Sequence, residues 1–197
     1  MSPLEGKRIV LGVTGGIAAY KAIEISRRLV DAGAHVVPIM TEAAQHFVGT
    51  TTLSALASEP VQTELWHNPT TPIPHTKVGQ GADLILVAPA TAKLIAAYRA
   101  GYSHDLLTNT LIATRAPVIV CPAMHTEMWE HPSVLDNIET LRQRGVRIVE
   151  PEAGRLAGGD VGAGRLASPE SIVAAAERVL APSDLSGVSV LVLSLIH

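Results

Sequence analysis

Four near-continuous apolar runs divide the chain: Arg8 to Val13, His35 to Met40, Leu84 to Ala88 and Val118 to Cys121. Their β-branched content and the lack of polar alternation predict strands covered on both faces, as in a parallel sheet. Val61 to Leu65 and Val146 to Val149 are shorter strand candidates. Helical spacing fills the gaps. Ala18, Ala22, Ile25, Leu29 and Ala32 recur at three- and four-residue steps, with Gly33 as a stop. A second helix is predicted from Thr91 to Ala100, ended by Gly101. A third follows a cap-like Ser133, with Asp136 three residues on, and runs to about Arg144. The last opens at Ser168-Pro169 and turns Ile172, Val173, Ala176 and Val179 inward.

Strand and helix alternation of this kind specifies an α/β fold: a doubly wound, Rossmann-like parallel sheet flanked by helices, as a single domain. Pro38 inside the second run conflicts with a central strand. It lacks a ladder donor, which favours an edge or a bulge. Residues 181 to 187, Ala-Pro-Ser-Asp-Leu-Ser-Gly, read as a linker before a lone strand-like run, Val188 to Leu193. A strand without pairing partners there leads us to expect the front part of a longer chain.

Composition narrows the function classes. With 47% hydrophobic residues the chain falls in the range of globular domains rather than disordered ones. Aromatics are only 3%, so the core is aliphatic and stacking platforms for single-stranded nucleic acid are scarce. A net charge of −3 and the lack of a basic run argue against nucleic-acid binding. Cys121 is the only cysteine, which excludes an internal disulfide and cysteine-based metal clusters within the chain. The polar residues 1 to 7 do not resemble a signal peptide, and no apolar run has the length of a membrane span. A cytoplasmic protein is the expectation.

Chemistry concentrates at the strand ends. Thr14-Gly15-Gly16-Ile17 joins the first strand to a helix, where backbone N–H groups and the helix terminus favour an anion. The spacing lacks the full dinucleotide fingerprint, and a tight turn without ligand explains it as well. Thr41 and Thr91 end the second and third main strands. In open α/β sheets ligands bind at such ends, although each threonine also suits a helix N-cap. Three such turns together favour a nucleotide-like cofactor. His75, in the loop Pro72-Ile73-Pro74-His75, is either exposed or a general base beside that cofactor. The eight histidines show no helical i, i+4 pair, so no metal is expected. Pro122 to Trp129 mixes His125, Thr126 and Glu127 with Met124 and Met128, and can be packing or a polar clamp. Gly154 to Arg165 holds five glycines in its first eleven residues and reads as a lid or a plain linker.

Taken in order, these segments resemble the flavin-containing cysteine decarboxylases. The most similar is the phosphopantothenoylcysteine decarboxylase half of the bifunctional coenzyme A biosynthesis flavoprotein. The resemblance rests on Gly15 to Lys21, Thr41 to Val48, Pro74-His75, Ala88 to Ala92, Asp105 to Thr108, Pro122 to Trp129 and Gly154 to Arg165. It implies FMN held by Thr14, Gly15, Gly16, Ile17, Thr41, Ala90, Thr91 and Thr108. It further implies a homo-oligomer, a trimer often assembled into a dodecamer, with FMN between subunits. The substrate implied is 4′-phosphopantothenoyl-cysteine. Flavin oxidises its thiol carbon, carbon dioxide leaves, and the enethiol formed is reduced to 4′-phosphopantetheine. The resemblance makes His75 the base, and Met124, His125, Glu127, Met128 and Arg165 the substrate contacts. Residues 1 to 180 would form the decarboxylase domain, and 181 to 197 the linker and start of a fused ligase domain.

Three positions depart from the family spelling. His125 and Lys93 each stand where relatives usually have asparagine. Gly158 stands where many relatives carry the cysteine presumed to donate the last proton. His125 then becomes the candidate donor, combining clamping with proton delivery, and Cys121 is the lesser candidate. Two other readings stay open: a peptide-type decarboxylase that releases the enethiol, and a flavin-binding regulatory protein without catalysis. An electron-carrier flavodoxin is disfavoured because the aromatic residues that sandwich an exposed flavin are too few.

Overall fold

The computed structural model describes residues 2–66 and 71–182. In chain order the elements are β1 (Arg8–Val13), α1 (Lys21–Asp31), β2 (His35–Met40), α2 (Thr50–Leu56), α3 (Pro74–Gln80), β3 (Leu84–Ala90), α4 (Ala92–Ala100), α5 (Leu106–Ala113), β4 (Val118–Pro122), α6 (Thr126–Trp129), α7 (Pro132–Gln143), β5 (Arg147–Ile148), β6 (Glu152–Arg155), β7 (Val161–Arg165) and α8 (Pro169–Leu180). Short 3₁₀ turns, Ile17–Tyr20 and Glu42–His46, follow β1 and β2. The first five strands form one parallel sheet in the order β2-β1-β3-β4-β5, and β6 and β7 form a separate antiparallel hairpin. No described helix is long and apolar enough to cross a membrane.

Continuous apolar strands exist here because both sheet faces are buried. Side chains alternate between faces along a strand. Ile9, Leu11, Leu84, Leu86, Ile119 and Cys121 pack on the side of α1 and α8. Val10, Ile85, Val87, Val118 and Val120 pack on the side of α4, α5 and α7. The helices present matching stripes: Ala22, Ile25 and Leu29 of α1 are fully buried, as are Ile172 and Ala176 of α8. Each buried Leu or Ile contributes about 2 kcal/mol of transfer free energy. Gly12 allows the close seating of α5. A Cβ there would meet Leu107 Cδ1 at 2.6 Å.

Pro38 causes no conflict, because β2 is an edge strand. Its carbonyl accepts from the Gln62 amide on the outer side, at 2.9 Å. A strand residue directs its N and its C=O to the same side, so the missing donor faces that edge. The neighbouring segment, expected as a strand over Val61 to Leu65, forms only an isolated bridge between Ile39 and Gln62. Charged and polar residues at 62 to 64 leave it too little apolar surface to bury. The third predicted helix begins earlier than expected. His131, not Ser133, is its cap: the imidazole accepts from the Ser133 amide, and Pro132 takes the first helical position. The glycine run at 154 to 165 is no linker. It forms most of the β6–β7 hairpin. The tail from 183, with its predicted strand, lies outside the described residues, as does most of the predicted 181–197 segment.

Candidate functional site

The strand order changes direction between β1 and β3, and ligands of open α/β sheets bind outside the carboxyl ends at such a switch. A cleft of about 810 Å³ lies there. Three turns wall it. Gly15 to Ala18 follows β1, Pro89 with Thr91 and Ala92 stands at the end of β3, and Ala123 to His125 with Met128 follows β4. The β6–β7 hairpin closes the fourth side through Arg155 to Gly158 and Gly164 to Leu166.

Thr14 ties the first two walls together. Its buried hydroxyl donates to the Pro89 carbonyl at 2.7 Å and accepts from the Thr91 amide at 3.0 Å. Thr91 caps α4, accepting from Leu94, and its side chain lines the cleft. Gly15 is required by packing, because a Cβ would lie 2.4 Å from Ala43 Cβ. Gly16 differs. A Cβ there would meet only Thr91 Cγ2, at 3.7 Å, so this glycine opens onto the cleft.

The hairpin sits directly on the segment after β4. Gly164 accepts from the Met124 amide at 2.9 Å, and Thr126 Oγ1 donates to the Ala163 carbonyl at 2.8 Å. Side chains would prevent this approach: a Cβ on Gly162 would lie 2.3 Å from Thr126 Oγ1, and one on Gly164 2.2 Å from the Met124 oxygen. Gly164 also has φ +126°, a conformation that disfavours other residues. At the hairpin base, Glu152 accepts from the Ser168 amide and from Arg165.

His125 lies between two carboxylates. Its Nδ1 faces Glu127 and its Nε2 faces Asp160, the latter at 3.1 Å. Asp160 belongs to the hairpin turn. Hydrogen bonding to Asp160, and then to Glu127, raises the imidazole above the usual histidine range. Glu127 is held below the usual carboxylate range by its own backbone N–H and by His125. Lys21, Arg155 and Arg165 bring positive charge to the same cleft. Lys21 donates to the Leu166 carbonyl at 3.2 Å, and burial, then Arg165, hold it below the ordinary lysine value.

Of the residues expected to bind cofactor or substrate, Gly15, Gly16, Ile17, Thr91, Met124, His125, Met128 and Arg165 line this one cleft. Others lie behind or away from it. Thr14 and Ala90 are buried at strand ends, and Thr41 caps the 42–46 turn by accepting from Ala44. Thr108 is buried in a capping box with Asp105. His75 does not line the cleft. It lies in the first turn of α3, and its Nδ1 is buried without a hydrogen-bond partner among the described residues. Cys121 is fully buried in the sheet, and burial raises its thiol far above the ordinary value. Sequence reasoning gave no role to Asp160, Arg155 or Lys21. A carboxylate inside a glycine run was the available signal for Asp160.

A family model described as Flavoprotein matches residues 1–181. The chain belongs to the flavoprotein family. Among curated relatives of this flavoprotein, the coenzyme A biosynthesis bifunctional protein CoaBC of Mycobacterium tuberculosis is 49% identical over 191 residues, covering 94% of this chain and 46% of that protein. The CoaBC protein of Vibrio parahaemolyticus is 44% identical over 193 residues, covering 98% and 48%. The chain thus spans about half the length of the curated relatives it matches. Among solved structures, a PPC decarboxylase variant complexed with pantothenoylaminoethenethiol superposes with a TM-score of 0.81 at 26% identity, over 88% of this chain and 98% of that one. The FMN-dependent cysteine decarboxylase SpaF gives 0.79 at 27% identity, over 91% and 99%.

Proposed function

We propose that this flavoprotein catalyses the FMN-dependent decarboxylation of 4′-phosphopantothenoyl-cysteine to 4′-phosphopantetheine, a step of coenzyme A biosynthesis in the cytoplasm. The observation that carries the reading is the cleft at the sheet switch point, where His125 meets the lid at the position of the family cysteine. A Cβ on Gly158 would lie 3.7 Å from His125 Nε2, so the imidazole lies in contact with the position of a cysteine there. Curated relatives named for coenzyme A biosynthesis, and a PPC decarboxylase among the similar structures, support the substrate.

The cleft suits FMN. Its volume is ample for a flavin nucleotide, Gly16 leaves room at the β1 turn, and Ile17, Ala18, Pro89 and Ala92 offer apolar walls for a ring system. Bound there, FMN would supply a two-electron acceptor and later return the electrons. The chain supplies the rest. Met124, His125 and Met128 hold the substrate beside the lid, and the imidazole orients its carboxylate. Its carboxylate neighbours raise the proton affinity of His125 and so favour the protonated imidazole, the form that can deliver a proton to the carbon that completes reduction.

His75 enters from a neighbouring copy in this proposal. Its orphaned Nδ1 and its place outside the cleft support a site shared between subunits, in a trimer or a dodecamer built from trimers. The bifunctional relatives support a ligase domain in the full-length polypeptide.

Gly158 favours one second reading, a peptide-type enzyme that releases the enethiol. SpaF, with its similar fold, belongs to the cysteine decarboxylases. A single-turnover reaction of the flavin-loaded protein decides. We expect 4′-phosphopantetheine by mass, with flavin absorbance bleaching and then recovering. A product two hydrogens lighter, with flavin left reduced, would establish enethiol release; an unaltered substrate would remove the pantothenoyl reading.

A further inference from the structure

His125 has two ring nitrogens, and each has a carboxylate. Glu127 is two residues away on the first turn of α6, so its contact with Nδ1 stays with the floor of the cleft. Nε2 is the nitrogen directed to the lid, and its partner comes from a different element. Asp160 sits in the turn between β6 and β7, closed by the Leu156 amide donating to the Asp160 carbonyl at 2.7 Å. Strand β7 is pinned to Met124 and Thr126, whereas the turn beyond it has this one side-chain contact with the clamp. The Asp160 side chain is 67% exposed.

We propose that the Asp160 carboxylate is a built-in occupant of the substrate-carboxylate site, holding His125 Nε2 in the free protein and yielding it to the incoming carboxylate. The inference rests on the clamp reading above. Hydrogen bonding requires the exchange. With Nδ1 on Glu127, the ring offers a single further N–H, at Nε2, and Asp160 occupies it. An incoming carboxylate takes Nε2 only if Asp160 leaves it. Glu127 shares one segment with His125, whereas Asp160 comes from the hairpin turn, which meets that segment through this contact. Lys21, Arg155 and Arg165, which line the same cleft, are the charged groups left to face the substrate or the released Asp160. Asp160 is therefore a positioning residue. It keeps the imidazole oriented and the turn against His125 until a carboxylate arrives, and it takes Nε2 back once the reduced product has left.

The test uses the flavin-loaded protein and three probes. Acetate supplies a carboxylate alone and is followed by the flavin absorbance shift against chloride at equal ionic strength. The substrate analogue with alanine in place of cysteine keeps the carboxylate but cannot be oxidised, and the ethylamide analogue lacks the carboxylate. Both are followed by calorimetry. Asp160→Asn should tighten acetate and the alanine analogue by about three- to fivefold, the scale of an exposed ion pair. It should leave the ethylamide analogue unchanged, and Asp160→Glu should restore wild-type binding. The difference should fade as pH rises through the elevated imidazole pKa, because neutral imidazole favours neither carboxylate. Equal tightening of both analogues, or no tightening of acetate, overturns the proposal. If acetate behaves as expected while neither analogue binds, the pantothenoyl substrate is wrong and the Asp160 exchange stands.

Discussion

Gly158 and His125 face each other across the closed lid. A Cβ on the glycine would sit 3.7 Å from the imidazole Nε2 and 3.2 Å from the Asp160 carboxylate that holds it. The two positions are in contact, so a donor at either one would serve the same part of the cleft.

That contact makes the two positions exchangeable as donors. His125→Asn should slow the final reduction about a hundredfold or more, the usual contribution of a general acid. Product then accumulates as the enethiol, two hydrogens short of 4′-phosphopantetheine, by mass. Adding Gly158→Cys should restore the saturated product. Completion at the wild-type rate by His125→Asn alone would remove the imidazole as donor.

A shared site predicts complementation. His75→Asn should lower turnover about a hundredfold or more, although His75 does not line the cleft of its own chain. Co-expression of His75→Asn chains with His125→Ala chains should recover activity, because mixed oligomers contain some sites with both histidines intact. Mixed oligomers as inactive as either parent would place both residues in one subunit's site.

Thr14 makes its contribution through the walls rather than through ligand contact. Thr14→Val keeps the shape but leaves the Thr91 amide without its acceptor. Unfolding in urea without flavin should show a loss of about 1–3 kcal/mol. Flavin fluorescence titration should show weaker binding, since Thr91 lines the cleft. A variant with unchanged stability would mean that another group takes the Thr91 amide.

The sheet was legible because its physics is local: strands buried on two faces read as unbroken apolar runs, and Gly33 and Gly101 mark helix ends with positive φ. Pro38 was legible as an edge marker for the same reason. The lid was not. Its strands are rich in glycines and charges and pair only with each other, and what seats them is the contact of β7 with Met124 and Thr126, some forty residues earlier. The same holds for the Asp160 contact with His125, which spans 35 positions. His131 replaced Ser133 as a cap because the proline between them fixed the first helical position. Site residues at strand ends were readable one by one. Which of them face the cleft was decided by side-chain direction, and Thr41 and Thr108 turn to helix capping instead.

Burial of Cys121 has a practical side. The only thiol among these 197 residues is sealed inside the sheet and held protonated. Thiol-selective reagents will therefore leave the folded chain unmarked, and a thiol introduced into the lid turn will react alone. Its labelling rate, or a spin probe attached there, would follow the opening of the cleft without any background from the native protein.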